Sequence, residues 1–377
     1  MSINCILMNY QQKYIKYKNK YLELKNNRLY GGLYGGNAEN YQQIIYKMAK
    51  YLKPDVAYKF KNKYGLKQLA NKVLGLNKYT FIYDLQNVIN DYYITDKIDG
   101  KRTVLYLTNN NSYAVNDTLT NININTKDIC ILDTEMYNDN YYVFDVMVYN
   151  NKILINIPFE ERITYFNNFA NLNNIKIKSF IKLNNKSYKK QIYEFKNENK
   201  SYDVDGIIFV PYDGLYNTMK VYKYKPFDKL TIDFYIKKCP VGLGDLMNTS
   251  TKDQTLYLLF CGISKNMFFK LRMNFTEHYN DIFPNINTKN LPQYFPIQFS
   301  PGDQHNVYRF WSNDTHLDNE IGEFLYDIHN HKWILDKIRN DRKIEVTRGN
   351  YFGNDYKVAE SIWMSYSDPL VIESTEI

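Results

Sequence analysis

The sequence predicts an α+β fold with antiparallel sheets. Short runs rich in Ile, Val, Tyr and Phe recur along the 377 residues and are bounded by Asn, Asp and Gly, as in strands joined by turns. Four stretches, residues 41–52, 65–74, 160–172 and 188–197, are expected to be helices instead. This length suits two or three domains.

Composition limits the class of protein. The net charge of +8 is compatible with an anionic partner such as RNA or a nucleotide. The four cysteines are widely spaced and form no Cys-x-x-Cys pair, which favours a reducing compartment and argues against a zinc ribbon or a disulfide framework. No run of 18 apolar residues is present, so we expect no membrane span.

The first 37 residues are predicted to form a separate leader. Tyr10, Tyr14, Tyr17 and Tyr21 follow helical spacing within a lysine-rich stretch. Two Leu-Tyr-Gly-Gly repeats at residues 29–36 then place four glycines in six positions, which is typical of a linker. The alternative is a processing site after Gly-Gly. In either case the first domain should start at residue 38.

One lysine, Lys97, stands in a setting that suits covalent chemistry. Lys97 and Arg102 flank an Asp-Gly pair between apolar runs at 92–94 and 104–107, which both indicate strands. We therefore expect Lys97 at a tight turn, where Gly100 gives the backbone freedom. Neighbouring cations would lower the pKa of a lysine nucleophile. The alternative is a plain hairpin turn, for which Asp-Gly is a common choice.

Two buried strands, predicted at residues 129–136 and 141–149, carry acidic residues. Glu135 lies near the end of the first run, and Asp145 lies inside the second. An acid within an apolar strand is costly unless it is paired or used in function. A strand-end cap is the alternative.

A third acid and two lysines follow further along the chain. Asp205 and Gly206 precede an apolar strand at 207–211. Strand alternation places Lys223 and Lys225 on one face, where two like charges are unfavourable unless an anion lies between them. A phosphate chain would be such an anion. The alternative is a solvated edge strand, since edge strands often carry lysines.

In this order, the elements resemble the covalent nucleotidyltransferase superfamily, which comprises mRNA guanylyltransferases and polynucleotide ligases. The resemblance is clearest over residues 90–235. Lys-x-Lys-Pro at 223–226 with Thr-Ile-Asp-Phe at 231–234 is most similar to the capping guanylyltransferases, and residues 348–360 resemble the same region in capping enzymes of large DNA viruses. It implies a ligase-type, ATP-grasp-like nucleotidyltransferase domain over 38–235 and an OB-fold domain over 236–377.

Two positions depart from the family pattern. The family has Glu where this chain has Asp205, and it has Lys at the end of an Arg-x-Asp-Lys motif where this chain has Arg342. Only 96 residues precede Lys97, and nothing resembling a methyl-donor site follows the predicted OB-fold. The sequence therefore suggests a stand-alone guanylyltransferase or one part of a split capping system.

The resemblance also implies roles for individual residues. Lys97 would form a covalent lysine–GMP adduct with GTP and pass GMP to the 5′-diphosphate end of RNA. Asp205 and Asp145 would bind a Mg²⁺ or Mn²⁺ ion. Arg102 and Glu135 would contact the ribose, and Phe144 and Ile207 would stack on the two faces of guanine. Lys223 and Lys225 would hold the α-phosphate, and the β- and γ-phosphates would be bound by Arg339, Asp341 and Arg342.

Partners and location follow from the same resemblance. A separate triphosphatase and methyltransferase, or a viral RNA polymerase, would supply the remaining steps. The protein would work in the viral factory of the host cytoplasm or be packaged in the virion. Two alternatives are open: an ATP-dependent RNA or DNA ligase with a lysine–AMP adduct, and a non-catalytic nucleotide-binding subunit of a transcription or capping complex.

Overall fold

The computed structural model describes residues 41–61, 65–116, 118–240, 254–301 and 307–372. The predicted leader over residues 1–37 lies outside these ranges. The described chain forms two compact units. The first contains the residues up to Leu74 and Ile89–Lys223, and the second contains Gly75–Val88 and the residues from Tyr224 onward.

Most regular elements are strands, as the sequence predicts. The α-helices are α1 (Tyr41–Leu52), α2 (Leu66–Leu69), α3 (Lys78–Thr80), α4 (Phe159–Arg162), α5 (Tyr188–Asn197), α6 (Lys265–Lys270), α7 (Tyr279–Ile282), α8 (Lys343–Thr347) and α9 (Tyr356–Ser367). The strands of the first unit are β1 (Val73–Gly75), β2 (Tyr92–Ile98), β3 (Lys101–Leu107), β4 (Ser112–Val115), β5 (Leu119–Ile122), β6 (Cys130–Tyr137), β7 (Asn140–Tyr149), β8 (Lys152–Ile153), β9 (Ile175–Ile177), β10 (Ile181–Lys182), β11 (Val204–Pro211) and β12 (Val221–Tyr224). Those of the second are β13 (Ile232–Lys238), β14 (Thr255–Ser264), β15 (Tyr294–Gln298), β16 (Arg309–Ser312), β17 (Ile321–Asp327) and β18 (Lys332–Ile338).

Two sheets build the first unit. The first has the order β1-β12-β11-β2-β10, and the second has the order β5-β4-β3-β6-β7-β8, with β9 parallel to β7. The chain passes from one sheet to the other between β2 and β3. All the other strand pairs of known register in these sheets are antiparallel, which confirms the predicted α+β class with antiparallel sheets.

Glycine is required at the β2–β3 turn because a Cβ atom there would clash with β6. A Cβ at Gly100 would lie 2.5 Å from the main-chain oxygen of Met136 and 2.9 Å from Cγ of Glu135. The positive-φ glycines of the described chain are Gly206, Gly349 and Gly353, so the expectation that Gly100 serves through backbone freedom was wrong. Because Gly100 has no side chain, β6 can approach the turn closely, and Glu135 lies beside the turn.

Substitution of this glycine is expected to strain both strands. Gly100→Ala should lower the free energy of unfolding by about 1–3 kcal/mol, because backbone atoms of β6 must shift to admit the methyl group. Urea denaturation of the two proteins measures this. Gly75→Ala is the matched control, since nothing lies within 4 Å of a Cβ there. Equal losses in the two variants would contradict the steric explanation.

Helix prediction succeeded where apolar spacing was long and regular. Helix α1 buries Ile44, Ile45, Met48 and Leu52 on one face, as predicted, and α5 has the predicted bounds. The helix expected near residues 65–74 is only α2, followed by β1. The helix expected over 160–172 is α4 continued by a 3₁₀ helix over Ile163–Phe169.

The second unit centres on a six-stranded antiparallel sheet. Its order is β15-β14-β13-β17-β18, and β16 pairs with β14. Phe234, Phe324 and Trp333 pack together in its core, with Trp363 of α9 beside Trp333. The predicted OB-fold stays a prediction. Because β13 pairs with β14 and β17, the chain divides after Lys223, and not after residue 235 as predicted.

None of the helices in the described ranges has the length and apolar character needed to cross a lipid bilayer.

Candidate active site

A cavity lies between the two sheets of the first unit. One wall comes from β2, β11 and β12, and the other comes from β3, β6 and β7. Six of the residues predicted from sequence line it. They are Lys97, Arg102, Glu135, Phe144, Asp145 and Lys223. Residues more than 120 positions apart in sequence therefore meet in one pocket.

Lys97 is paired with Asp205 at this cavity. Its Nζ lies 2.5 Å from Oδ2 of Asp205, and both side chains are partly shielded from solvent. The pairing depends on a bulge, because the register of β11 on β2 shifts between Val204 and Gly206. The extra residue re-aims the Asp205 carboxylate toward the lysine. Lys97 belongs to β2 itself, so the turn expected at this lysine begins after Ile98.

The bulge also decides which isoleucine faces the cavity. Beyond it, Ile207 pairs with Asp96 and Ile208 pairs with Thr95. Ile208 and Thr95 line the cavity, whereas Ile207 is buried and is absent from its lining. The structure therefore does not support the prediction that Ile207 stacks on the base. Successive strand residues point to opposite faces, so Ile208 faces the cavity in its place.

Arg102 is fixed by a buried acid. Its Nε and NH2 donate to the two oxygens of Asp133 at 3.0 and 2.5 Å, and its NH1 donates to the main-chain oxygen of Asn71 at 2.7 Å. Tyr216 donates its hydroxyl proton to Asp133 at 2.5 Å. The guanidinium carbon is 5.5 Å from the centre of the Phe144 ring. Arg102 is thus held rigidly beside the predicted base-stacking ring.

Asp145 has a different setting from the one predicted. Arg162 donates to its two oxygens at 2.7 and 2.9 Å, and the amide of Val146 donates to one of them as well. Both charged side chains are at most 1% exposed. Because both oxygens are engaged with a buried cation, the assignment of Asp145 as a metal ligand is not supported. The ion pair joins β7 to α4 and so stabilises the elements beside the cavity.

Glu135 lies on the cavity wall without a side-chain hydrogen bond or ion pair among the described residues. Burial raises the pKa of Glu135 from 4.5 to about 7, and the charges of Lys178 and Lys97 oppose this rise. Its carboxyl group is therefore close to half protonated at neutral pH, and it is available to a ligand.

This pKa predicts a pH-dependent stability. The folded pKa of Glu135 exceeds its ordinary value of 4.5, so its favourable contribution is complete below pH 4.5 and is lost as pH rises through about 7. Glu135→Gln should match the wild type in urea denaturation at pH 4.5 and be the more stable protein at pH 8. A constant difference between the two proteins across this range would contradict the raised pKa.

A further cation in the cavity escaped prediction. Lys178 is only 6% exposed, and its Nζ lies 3.1 Å from Oδ1 of Asp96 and 6.0 Å from the Phe144 ring centre. It also donates to the main-chain oxygen of Asp96, whose carboxylate accepts from Tyr202. Burial lowers the pKa of Lys178, and Asp96 opposes this. The Ile-Lys-Ile-Lys pattern at 175–178 suggests an outward lysine, so sequence periodicity concealed it.

Thr95 is a second residue that sequence analysis missed. It is 2% exposed and lines the cavity two residues before Lys97. Its hydroxyl has no hydrogen-bond partner within the part of the chain that the structure describes. A buried hydroxyl without a partner is costly, so the cavity holds an unused polar group that suits a ligand.

The remaining predicted phosphate contacts belong to the second unit. Lys225 follows the end of β12. NH1 of Arg339 donates to Asp233 at 2.8 Å and lies 3.4 Å from Glu323. Arg342 pairs with Glu345 at 2.8 Å. The side chain of Asp341 lies outside the described part of the structure. Their predicted roles stay predictions.

The ordered motifs, the Lys97–Asp205 pair and the cavity between two antiparallel sheets suit a nucleotidyltransferase-type protein. The chain is a relative of the mRNA-capping enzymes of large DNA viruses, as the sequence resemblance implied. The "mRNA-capping enzyme" of African swine fever virus (isolate Pig/Kenya/KEN-50/1950) is 34% identical over 332 residues, covering 82% of this chain and 38% of the relative. The "Probable mRNA-capping enzyme" of Acanthamoeba polyphaga mimivirus is 24% identical over 208 residues, or 46% of this chain and 16% of the relative.

This chain thus spans little more than a third of the length of the African swine fever virus enzyme. No protein-family profile matches it. Among solved structures, a mycobacterial DNA ligase D complexed with ATP and MES aligns over 74% of this chain and 97% of its own, with 10% identity and a TM-score of 0.38. A Lig E DNA ligase aligns over 71% and 99%, with 12% identity and a TM-score of 0.31.

Proposed function

We propose that this chain is an mRNA guanylyltransferase that transfers GMP from GTP to the 5′-diphosphate end of RNA. The observation that carries the proposal is the Lys97–Asp205 pair at a cavity lined by cations and by Phe144. Relatives named mRNA-capping enzymes support it. Transfer through a lysine adduct splits one difficult substitution at phosphorus into two easier ones.

In the first step, Nζ of Lys97 attacks the α-phosphorus of GTP. An N–P bond forms, the bond from the α-phosphorus to the bridging oxygen breaks, and pyrophosphate leaves with that oxygen. Asp205 is the adjacent acceptor for the proton that Nζ must lose. Lys223 and Lys225 would bind the phosphate chain, whose charge they complement. Arg102 and Glu135 would orient the ribose beside Phe144.

In the second step, an oxygen of the RNA 5′-diphosphate attacks the same phosphorus. The N–P bond breaks, Lys97 regains its proton, and a GpppN cap results. Charge develops on phosphate oxygens in both steps, so positioned cations provide most of the stabilisation. Arg339 would also stabilise phosphate charge if its ion pair with Asp233 broke when the nucleotide binds.

A divalent ion fits this site in part. The described residues contain no group of three or more His, Cys, Asp or Glu side chains able to enclose a metal. Mg²⁺ is commonly held by one or two carboxylates together with substrate phosphates, and Asp205 supplies such a carboxylate. A Mg²⁺ or Mn²⁺ ion there would neutralise phosphate charge.

A preference for guanine over adenine is supported by the hydrogen-bonding groups of the cavity. Lys178, paired with the carboxylate of Asp96, serves as a hydrogen-bond donor, and its Nζ lies 6.0 Å from the centre of the Phe144 ring, where a stacked base would sit. The keto oxygen of guanine accepts such a bond, whereas the corresponding amino group of adenine is itself a donor. The unpartnered hydroxyl of Thr95 can bind a second polar atom of the base edge.

Removal of this donor tests the base preference. Lys178→Met should weaken GTP binding about 10- to 100-fold, the effect of losing a charged hydrogen bond, and leave ATP binding nearly unchanged. Calorimetric titration with each nucleotide measures this. Tyr202→Phe is the control, since it removes another partner of Asp96 from outside the cavity lining. Equal losses for both nucleotides would contradict the assignment.

The function itself is tested with α-labelled nucleotides. The protein is mixed with labelled GTP or ATP and Mg²⁺ or Mn²⁺, resolved on a denaturing gel, and mapped by mass spectrometry. A GTP-dependent, acid-labile adduct on Lys97 is expected. An ATP-dependent adduct would instead indicate a ligase. No adduct with either nucleotide, from folded protein, would favour a non-catalytic subunit.

A further inference from the structure

A second cavity of about 560 Å³ adjoins the first within the same unit. Its lining comes from the residue after α1, the 3₁₀ helix Pro54–Lys61, α2, the segment between α2 and β1, and the loop before β12. Asn71 lines both cavities, and its main-chain oxygen accepts from Arg102. A ligand in the second cavity would therefore lie directly beside the nucleotide.

The charge of this cavity favours an anion. Two lysines, Lys53 and Lys72, line it together with no carboxylate. Neither ammonium group has an ion-pair or hydrogen-bond partner in the part of the chain that the structure describes. Surface lysines that already have an ion-pair partner would gain little binding energy from an anionic ligand. These two lysines can neutralise phosphates without breaking such a pair.

The uncharged lining favours a nucleotide over a bare phosphate ion. Gln68, Asn71 and Asn217 offer amide groups that both donate and accept, and Val56 and Phe60 provide an apolar floor. Sugars and base edges need groups that donate and accept hydrogen bonds, as these amides do. Base faces need an apolar surface, which Val56 and Phe60 provide. The volume is also in the range of about 300–1,000 Å³ typical of ligand pockets.

We infer that this second cavity binds the acceptor RNA near its 5′ end, a role that rests on the proposed guanylyltransferase function. Lys53 and Lys72 contact phosphates of the first nucleotides, and the amides contact a nucleoside. In this arrangement the donor and acceptor occupy adjoining sites separated by Asn71. The cavity then serves the second transfer step and has no part in the first.

The two steps can be measured separately. Lys53→Gln with Lys72→Gln should leave the rate of lysine–GMP formation within about twofold of wild type, and raise the KM for a short 5′-diphosphate RNA at least tenfold. The dependence of log K for RNA on log salt concentration should become shallower by about 1.4, since each lost phosphate contact on a single strand accounts for about 0.7. Lys186→Gln with Lys190→Gln, two exposed lysines of the same unit outside the cavity, is the matched control and should change neither quantity.

A KM and a salt dependence equal to those of the control would overturn the inference. Its failure is distinguishable from failure of the proposed function, because the latter removes the GMP adduct from the wild type as well. Binding of fluorescently labelled 5′-diphosphate RNA without GTP provides a test that needs no adduct. Wild-type and doubly substituted proteins with equal RNA affinity in that assay would also reject the second cavity as the acceptor site.

Discussion

Lys97→Arg is expected to abolish formation of the nucleotide adduct, by a factor on the order of 10⁴ or more, while the protein stays folded and still binds GTP. Arginine keeps the positive charge and can still pair with Asp205. Its guanidinium is always protonated and is not a nucleophile at neutral pH. The assay compares the rate of label incorporation from α-labelled GTP with GTP affinity measured by calorimetry.

Lys101→Arg provides the matched control for this substitution. Lys101 is an exposed lysine on β3, four positions away and outside the cavity lining, so its replacement should leave the adduct rate unchanged. Lys97→Ala should lose the adduct too, and it leaves Asp205 without its partner. Residual incorporation by Lys97→Arg at a tenth of the wild-type rate would place the nucleophile elsewhere.

Arg162→Met is expected to have the largest effect on folding, a loss of about 3–5 kcal/mol in the free energy of unfolding. Both members of the Arg162–Asp145 pair are buried, and the arginine also donates to the main-chain oxygens of Ile157 and Gly214. Without it, Asp145 is an uncompensated buried charge at the base of the candidate active site. Urea denaturation at pH 7 measures the loss.

A double substitution separates the buried charge from simple loss of packing. Arg162→Met combined with Asp145→Leu removes both charges and should recover much of the lost stability, because no unpaired ion is left in the interior. Lys182→Met, in an exposed pair whose charged atoms are 4.0 Å apart, should cost less than about 1 kcal/mol. Strictly additive single effects would argue against coupling between Arg162 and Asp145.

Patterns local to the chain predicted the strands well. The apolar runs of β6, β7 and β11 and the Asp-Gly turn after β2 depend on a few adjacent residues, so their positions could be predicted directly. The order of motifs also identified Lys97 and five other residues of the cavity lining. Two short helices were overestimated, because a mixed apolar pattern does not show where α-helical hydrogen bonding stops.

Local sequence is enough to predict which chemical groups are present and in what order they follow along the strands, since strand alternation and turn chemistry act over a few residues. The partners of the buried charges depend instead on tertiary packing. Arg162 pairs with Asp145, which is 17 positions away in the sequence, and Lys178 pairs with Asp96, which is 82 positions away. A one-residue bulge likewise exchanged Ile207 for Ile208 at the cavity. Such outcomes depend on how distant segments pack, because a buried charge must find its counter-charge in space, and nearness in sequence does not provide it.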